Sequence, residues 1–291
     1  MHLLTSNKKL TPSLAIPKPV TFFIKIIQIF SPYLATRLAA WLFVTPINFA
    51  TPEREKYMLK SAQKKRLFIP DINKEISLLS YGYSKKKVLL VHGWAGRSTQ
   101  LFAFADKLLE KRFMVISFDG PAHGKSTGKT TSLTDFISAI QKIDEVYGPF
   151  ESAIGHSFGG MSLYNATSRF LKLKSFVTIG SGDKVSDIIK QFSNNLKLPE
   201  KSAKKIQKRL EKTWNAKFDN YTSHSVGLKV EIPILTIHDT NDGDVPVRYA
   251  YNIRQNLKNG SLLITQGLGH TKILRNKEIV TKSVEFIIKN S

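Results

Sequence analysis

The chain has 291 residues, 42% of them apolar, which suits one large domain, or one domain with an insertion, and excludes a wholly disordered protein. It has no cysteine, which excludes disulfides, thiolate metal sites and cysteine nucleophiles. The formal charge of +22 would draw such a surface to anionic membranes or nucleic acid; no nucleic-acid motif accompanies it, so it reads as a lysine-rich surface with no nucleic-acid partner.

Residues 1–19 are polar and proline-dotted and read as mobile. Val20 to Phe30 is apolar except for Thr21, Lys25 and Gln28, which fall on one narrow helical stripe. Ser31-Pro32 reads as an N-cap followed by proline at the first helical position, opening a second apolar helix from Tyr33 to about Val44. Lys25, Pro32 and Arg37 break the run before it reaches the roughly 18 apolar residues of a membrane span. No uninterrupted apolar core precedes a small-residue cleavage site, so a secretory signal is not expected and the chain is placed in the cytoplasm. Two readings of residues 20–44 stay open: packing on the folded domain, or peripheral contact with the inner membrane.

Thr51 to Lys65 is charged and read as helical, and Leu67–Ile69 and Ile76–Tyr81 read as short strands. An alternation follows. Lys87–Val91, Phe113–Phe118, Phe150–Ile154 and Ser175–Ile179 read as strands, with helices at Thr99–Arg112, Leu133–Tyr147 and Met161–Leu171. From about Gly180 to Val230 no central strand is legible, and a lysine-rich helix around Ala203–Leu210 has one apolar edge at Ile206 and Leu210. The alternation resumes with strands Pro233–His238 and Ser261–Thr265 and helices Val247–Leu257 and Lys277–Lys289. Such a pattern means a mostly parallel, doubly wound sheet covered on both faces, an α/β fold. The expected organisation is an N-terminal helical extension (1–65), a core (66–180 and 231–291) and a helical cap insertion (181–230).

Gly155-His156-Ser157-Phe158-Gly159 joins a strand to a helix through a very tight turn. Glycines at 155 and 159 clear space for a strained backbone that lifts the Ser157 hydroxyl to a helix N-terminus, as an acyl-transfer nucleophile requires. A serine hydroxyl needs a base to take its proton, and that base needs a buried carboxylate to hold its tautomer. Two other strand ends supply candidates, His270 after Gly267-Leu268-Gly269 and Asp242 in the loop His238–Pro246. A fourth, His92-Gly93-Trp94-Ala95-Gly96, lets the Trp94 N–H join the Phe158 N–H in facing an oxyanion.

These motifs, with Asp119-Gly120-Pro121-Ala122-His123-Gly124-Lys125-Ser126, resemble the serine-nucleophile α/β-hydrolase superfamily from about Val88 to the C-terminus. The resemblance implies the α/β-hydrolase fold and a Ser157–His270–Asp242 triad beneath a helical cap. The acid three residues before Val-Pro matches the family's loop, which ranks Asp242 above Asp239 and Asp244. Ala122 stands where the family often has a second glycine. The first 65 residues look closest to bacterial hydrolases of undefined substrate. The implied activity is hydrolysis of a carboxylic ester or related acyl bond in a small-molecule substrate, without cofactor or metal. Thioesterase, amidase, peptidase or acyltransferase chemistry uses the same machinery. A scaffold without turnover, serving in binding or at a membrane surface, is the further alternative.

The other histidines carry no proton transfer in this reading. His156 and His92 are expected to pack or brace loops, His123 to be structural, and His224 and His238 to lack partners. Gly124-Lys125-Ser126 imitates a phosphate loop, but Asp119 occupies the place of its first glycine, so nucleotide binding is not expected.

Overall fold

The computed structural model describes residues 10–12 and 15–291. The expectation of a mobile start falls mainly outside these residues, but Leu10 is tied down, its N–H donating to the Asn241 carbonyl at 3.0 Å.

Two helices open the described chain, α1 (Lys18–Phe30) and α2 (Pro32–Phe43). Ser31 separates them as the sequence suggests, its hydroxyl accepting from the Leu34 N–H at 3.3 Å with Pro32 at the first helical position. The charged stretch that follows is helical only as far as α3 (Lys56–Ser61). Strand β1 (Gln63–Ile69) starts earlier than its apolar run, because Gln63 to Arg66 pair in register with β2 (Lys74–Tyr81). Backbone pairing, indifferent to side-chain polarity, recruits these exposed lysines to the sheet edge.

The remaining elements alternate: β3 (Lys87–Val91), α4 (Phe102–Glu110), β4 (Met114–Phe118), α5 (Leu133–Tyr147), β5 (Ser152–His156), α6 (Phe158–Thr167) and β6 (Ser175–Ile179). Three helices interrupt them, α7 (Val185–Asn195), α8 (Lys201–Thr213) and α9 (Ser223–Gly227). Then come β7 (Ile234–Asp239), α10 (Arg248–Gln255), β8 (Gly260–Thr265), α11 (Gly269–Lys272) and α12 (Lys277–Lys289).

The strands form one eight-stranded sheet in the order β1-β2-β4-β3-β5-β6-β7-β8. Pairing is antiparallel between β1 and β2 and between β2 and β4, and parallel from β4 onward. Alternate residues of each central strand feed opposite cores. Leu89 and Val91 of β3 join Phe136, Ile140, Leu163 and Ile253 beneath α5, α6 and α10. Val88 and Leu90 join Phe104, Leu108, Val284 and Ile287 beneath α4 and α12. A sheet buried on both faces explains the uninterrupted apolar runs of its strands.

A third core lies above the sheet. Ile24, Ala35, Ala39 and Ala40 of α1 and α2 meet Ile189, Ile206 and Leu210 of α7 and α8, and Met161 of α6. The N-terminal helices and the insertion therefore make one composite cap, seated on the first turns of α6. No described helix is long and apolar enough to cross a membrane.

Candidate active site

Ser157 stands between β5 and α6 at φ 51° and ψ −114°, a backbone conformation that an L-residue adopts only under strain. Its N–H donates to the Ile179 carbonyl at 2.9 Å, and its carbonyl accepts from the Gly160 N–H at 3.0 Å. A side chain at Gly159 would overlap the Val91 carbonyl oxygen, so glycine is what lets α6 start this close to β3. Ser157 is partly exposed, and its hydroxyl makes no hydrogen bond among the described residues.

Asp242 and His270 come together from the loops after β7 and β8. His270 Nδ1 lies 2.7 Å from Asp242 Oδ2, and both side chains are buried. The second oxygen, Oδ1, accepts the Asp244 and Val245 N–H groups at 2.8 Å each, so the carboxylate is locked from two directions. Burial pushes the Asp242 carboxyl up, but its hydrogen bond and charge interaction with His270 outweigh that and hold it below the usual carboxylate range. Burial pushes His270 down, and the Asp242 carboxylate overcomes it, raising the imidazole above its ordinary pKa.

The neighbouring acids do different work. Asp239 accepts from the Asn241 N–H at 2.9 Å, the Thr265 hydroxyl at 2.7 Å and the Leu268 N–H at 3.0 Å, which pins the His270 loop to the Asp242 loop. Asp242, Asp244 and His270 form the one acid–histidine grouping among the described residues tight enough for a cation, but Asp242 Oδ2 already faces the His270 N–H.

The loop 92–96 packs directly on the elbow. A Cβ on Gly93 would lie 2.7 Å from His156 Nδ1 and 3.0 Å from Ser157 Cβ. The Trp94 and Phe158 rings meet edge to face at 5.4 Å, and neither residue's backbone N–H donates to another described residue. For Phe158 this follows from its place at the first position of α6, where helical geometry leaves the N–H without a partner.

His92, His123 and Gln100 hold this loop in shape. His92 Nδ1 donates to the Gly93 carbonyl at 2.7 Å while Nε2 accepts the Gly120 N–H at 2.8 Å. His123 Nε2 accepts the Ala95 N–H at 3.1 Å, and Nδ1 donates to Pro121 O at 3.0 Å. Both rings are neutral braces, lowered by burial to about 4 and about 3. Gln100 Oε1 accepts the Gly93 N–H at 2.9 Å. Buried Glu55 accepts the Thr99 hydroxyl at 2.7 Å and faces Arg97 at 3.4 Å, tying the N-terminal extension to the same loop. Gln100 and Glu55 carry no motif that would announce them. Asp119, in the place of a phosphate-loop glycine, accepts the Ser98 and Lys125 N–H groups.

Two histidines depart from expectation. His224 is not without a partner: Nδ1 lies 2.8 Å from Asp183 Oδ2, and Asn252 Nδ2 donates to the same oxygen at 2.6 Å, which fastens α9 and α10 to the end of β6. His238 Nε2 donates to the Val245 carbonyl at 2.9 Å and lies 3.6 Å from Asp242 Oδ2, so it shapes the acid's loop from below. Both partners are distant in sequence or reached by a loop closing on itself, which motif reading does not capture.

Comparison with known proteins agrees with this architecture. The family described as alpha/beta hydrolase matches residues 88–225, and the family described as TAP-like protein matches residues 205–289. An esterase from Pyrococcus furiosus superposes with a TM-score of 0.65 at 20% identity, covering 84% of this chain and 99% of its own. An esterase from Exiguobacterium antarcticum gives 0.62 at 16% identity, over 78% of this chain and 100% of its own. A membrane phospholipase A, described as a bacterial virulence factor, gives 0.61 at 17% identity, over 92% and 96%. A search of the curated proteins found no match. The sheet order, the antiparallel edge and the helices on both faces define a hydrolase-type α/β fold. The chain belongs to the α/β-hydrolase superfamily.

Proposed function

We propose that the protein is a serine hydrolase of carboxylic esters or closely related acyl bonds, acting through Ser157, His270 and Asp242. The observation that carries this reading is the 2.7 Å approach of His270 Nδ1 to a buried, doubly locked Asp242, beside a strained serine at the mouth of α6. Asp242 keeps the Nδ1 proton in place, which leaves Nε2 as the basic nitrogen.

In the first step His270 Nε2 takes the Ser157 proton as Oγ bonds to the acyl carbon. The carbonyl oxygen becomes an oxyanion held by the Trp94 and Phe158 N–H groups. His270 then passes the proton to the leaving oxygen, the bond to it breaks, and the acyl group remains on Ser157. Water, giving a proton to the same nitrogen, attacks the acyl-enzyme; its collapse returns the proton to Ser157 Oγ and frees the carboxylic acid. No step requires a cofactor. The substrate is a small acyl compound that fits beneath the composite cap.

The test is hydrolysis of p-nitrophenyl esters from acetate to palmitate by the wild type and by Ser157→Ala. Turnover lost in the variant supports the reading, and the chain-length profile describes the pocket under the cap. Turnover that survives Ser157→Ala contradicts it.

A further inference from the structure

The helix α1 is apolar on two sides. Ile24, facing the cap core, is fully buried. The opposite side presents Phe22, Phe23, Ile26, Ile29 and Phe30 to solvent, with Ile29 and Phe30 79% and 84% exposed. These positions recur at helical spacing, so they form a stripe rather than scattered exceptions. The stripe continues across Ser31 into α2, where Tyr33, Leu34 and Trp41 are at least half exposed while Ala35, Ala39 and Ala40 are buried. A folded surface rarely leaves so many contiguous large apolar side chains in water without a use for them.

The charge around the stripe selects the occupant. Lys25 lies on the outward side of α1 between Phe22 and Ile29, and Arg37 on that of α2 between Leu34 and Trp41. Residues 1–52 contain no aspartate or glutamate. The adjoining cap helix α8, packed on α2, exposes Lys201, Lys204, Lys205, Lys208, Arg209 and Lys212. A second copy of the chain would bring two cationic faces together, which repel. An acidic headgroup layer above acyl chains meets both features at once: aromatic and aliphatic side chains enter the interface, while Lys25 and Arg37 reach its phosphates. Since no described helix is long and apolar enough to cross a bilayer, the helices lie on its surface.

From this juxtaposition we infer that the outward faces of α1 and α2 form a docking surface for an anionic phospholipid bilayer, with α8 adding long-range attraction. This inference is independent of the catalytic reading, since it uses no residue of the candidate active site.

The test is co-sedimentation of the full chain with vesicles of phosphatidylcholine alone or mixed with phosphatidylglycerol, at about 0.1 M and about 0.5 M salt. Binding is expected to phosphatidylglycerol vesicles, weakening at least about tenfold at the higher salt or in Phe22→Asp/Phe30→Asp. Lys25→Glu/Arg37→Glu should weaken it similarly, and Ser157→Ala should leave it unchanged. Circular dichroism and thermal melting show whether each variant is folded; the exposed positions of all four side chains make a folding defect unexpected. Failure of the wild type to bind phosphatidylglycerol vesicles overturns the inference, as does undiminished binding by both folded double variants. A concentration-dependent dimer that the Phe22→Asp/Phe30→Asp variant dissolves would assign the face to a second copy instead and would likewise overturn it.

Discussion

His156 Nε2 donates to the main-chain carbonyl of His270 at 3.0 Å, and the two imidazoles lie 4.5 Å apart between centroids. A carbonyl can only accept, so the His156 proton is fixed on Nε2. Burial holds this ring well below its ordinary pKa, with the nearby His270 charge acting in the same direction, so it stays neutral while His270 titrates. The residue before the nucleophile thus positions the main chain of the proposed base. His156→Ala is expected to lower kcat/KM by about ten- to a hundredfold, since a misplaced base costs that much. Kinetics on a p-nitrophenyl ester check this, and an unchanged rate would mean that the loop holds itself.

The pH profile follows from the raised His270 pKa. The base must be neutral to accept the Ser157 proton, so kcat/KM should fall as pH drops through a midpoint above the ordinary value of about 6.5. Asp242→Asn removes the hydrogen bond and charge that offset burial and leaves only the Asp244 charge opposing it, so the midpoint should move down from its wild-type position while kcat drops by roughly a thousandfold or more. Stability shares the linkage. His270, raised by folding, contributes stability present in full below its unfolded pKa and lost as pH rises through the folded one. Asp242, lowered by folding, contributes stability above its unfolded pKa that is lost as pH falls through the folded one. Urea titrations across pH, wild type beside Asp242→Asn, measure both limbs.

Asp135 joins three parts of the molecule. Its carboxylate meets Lys74 of β2 at 2.6 Å and accepts from Trp214 Nε1 of the cap at 3.0 Å, on a helix capped by the Ser132 hydroxyl. Asp135→Ala leaves the indole N–H without its acceptor and a largely buried ammonium without its counter-charge, holding only the Thr130 carbonyl at 2.8 Å. The expected loss is about 2–3 kcal/mol, below that of a fully buried pair because Lys74 keeps some contact with water. Denaturant unfolding checks it.

Ala122 sits at φ 64°, in the left-handed region that favours glycine. Relief of the Cβ clash, about 1–2 kcal/mol, is partly cancelled by the freer unfolded chain, about 0.4–1 kcal/mol. Ala122→Gly should therefore raise stability by about 0.5–1 kcal/mol, and Ala122→Val should lower it. Thermal melts of the two variants decide the sign.

The core strands were legible because a sheet buried on both faces demands continuous apolar runs such as Val88–Val91, and local sequence records that demand. The elbow was legible because its glycines answer a short-range steric need. Asp242 and His270 were legible as strand-end residues in a fixed order. What local pattern cannot hold is a partner chosen by the fold: Asp183 for His224, Glu55 for Thr99, Lys74 for Asp135. The orientation of α1 escaped for the same reason. The narrow stripe of Thr21, Lys25 and Gln28 does not mark the solvent side: Thr21 and Gln28 are half-buried, while Phe22, Ile29 and Phe30 face out. Contact with α2 and the cap, not polarity along α1, fixes its rotation.

The central claim is that Ser157 is an activated nucleophile. The most direct measurement is covalent labelling by a fluorophosphonate, with the modified residue mapped by mass spectrometry, on the wild type, Ser157→Ala and His270→Ala. The account predicts one label, on Ser157, absent from Ser157→Ala and greatly slowed in His270→Ala. Folded wild-type protein that takes no label, or takes it at another residue, would contradict the account.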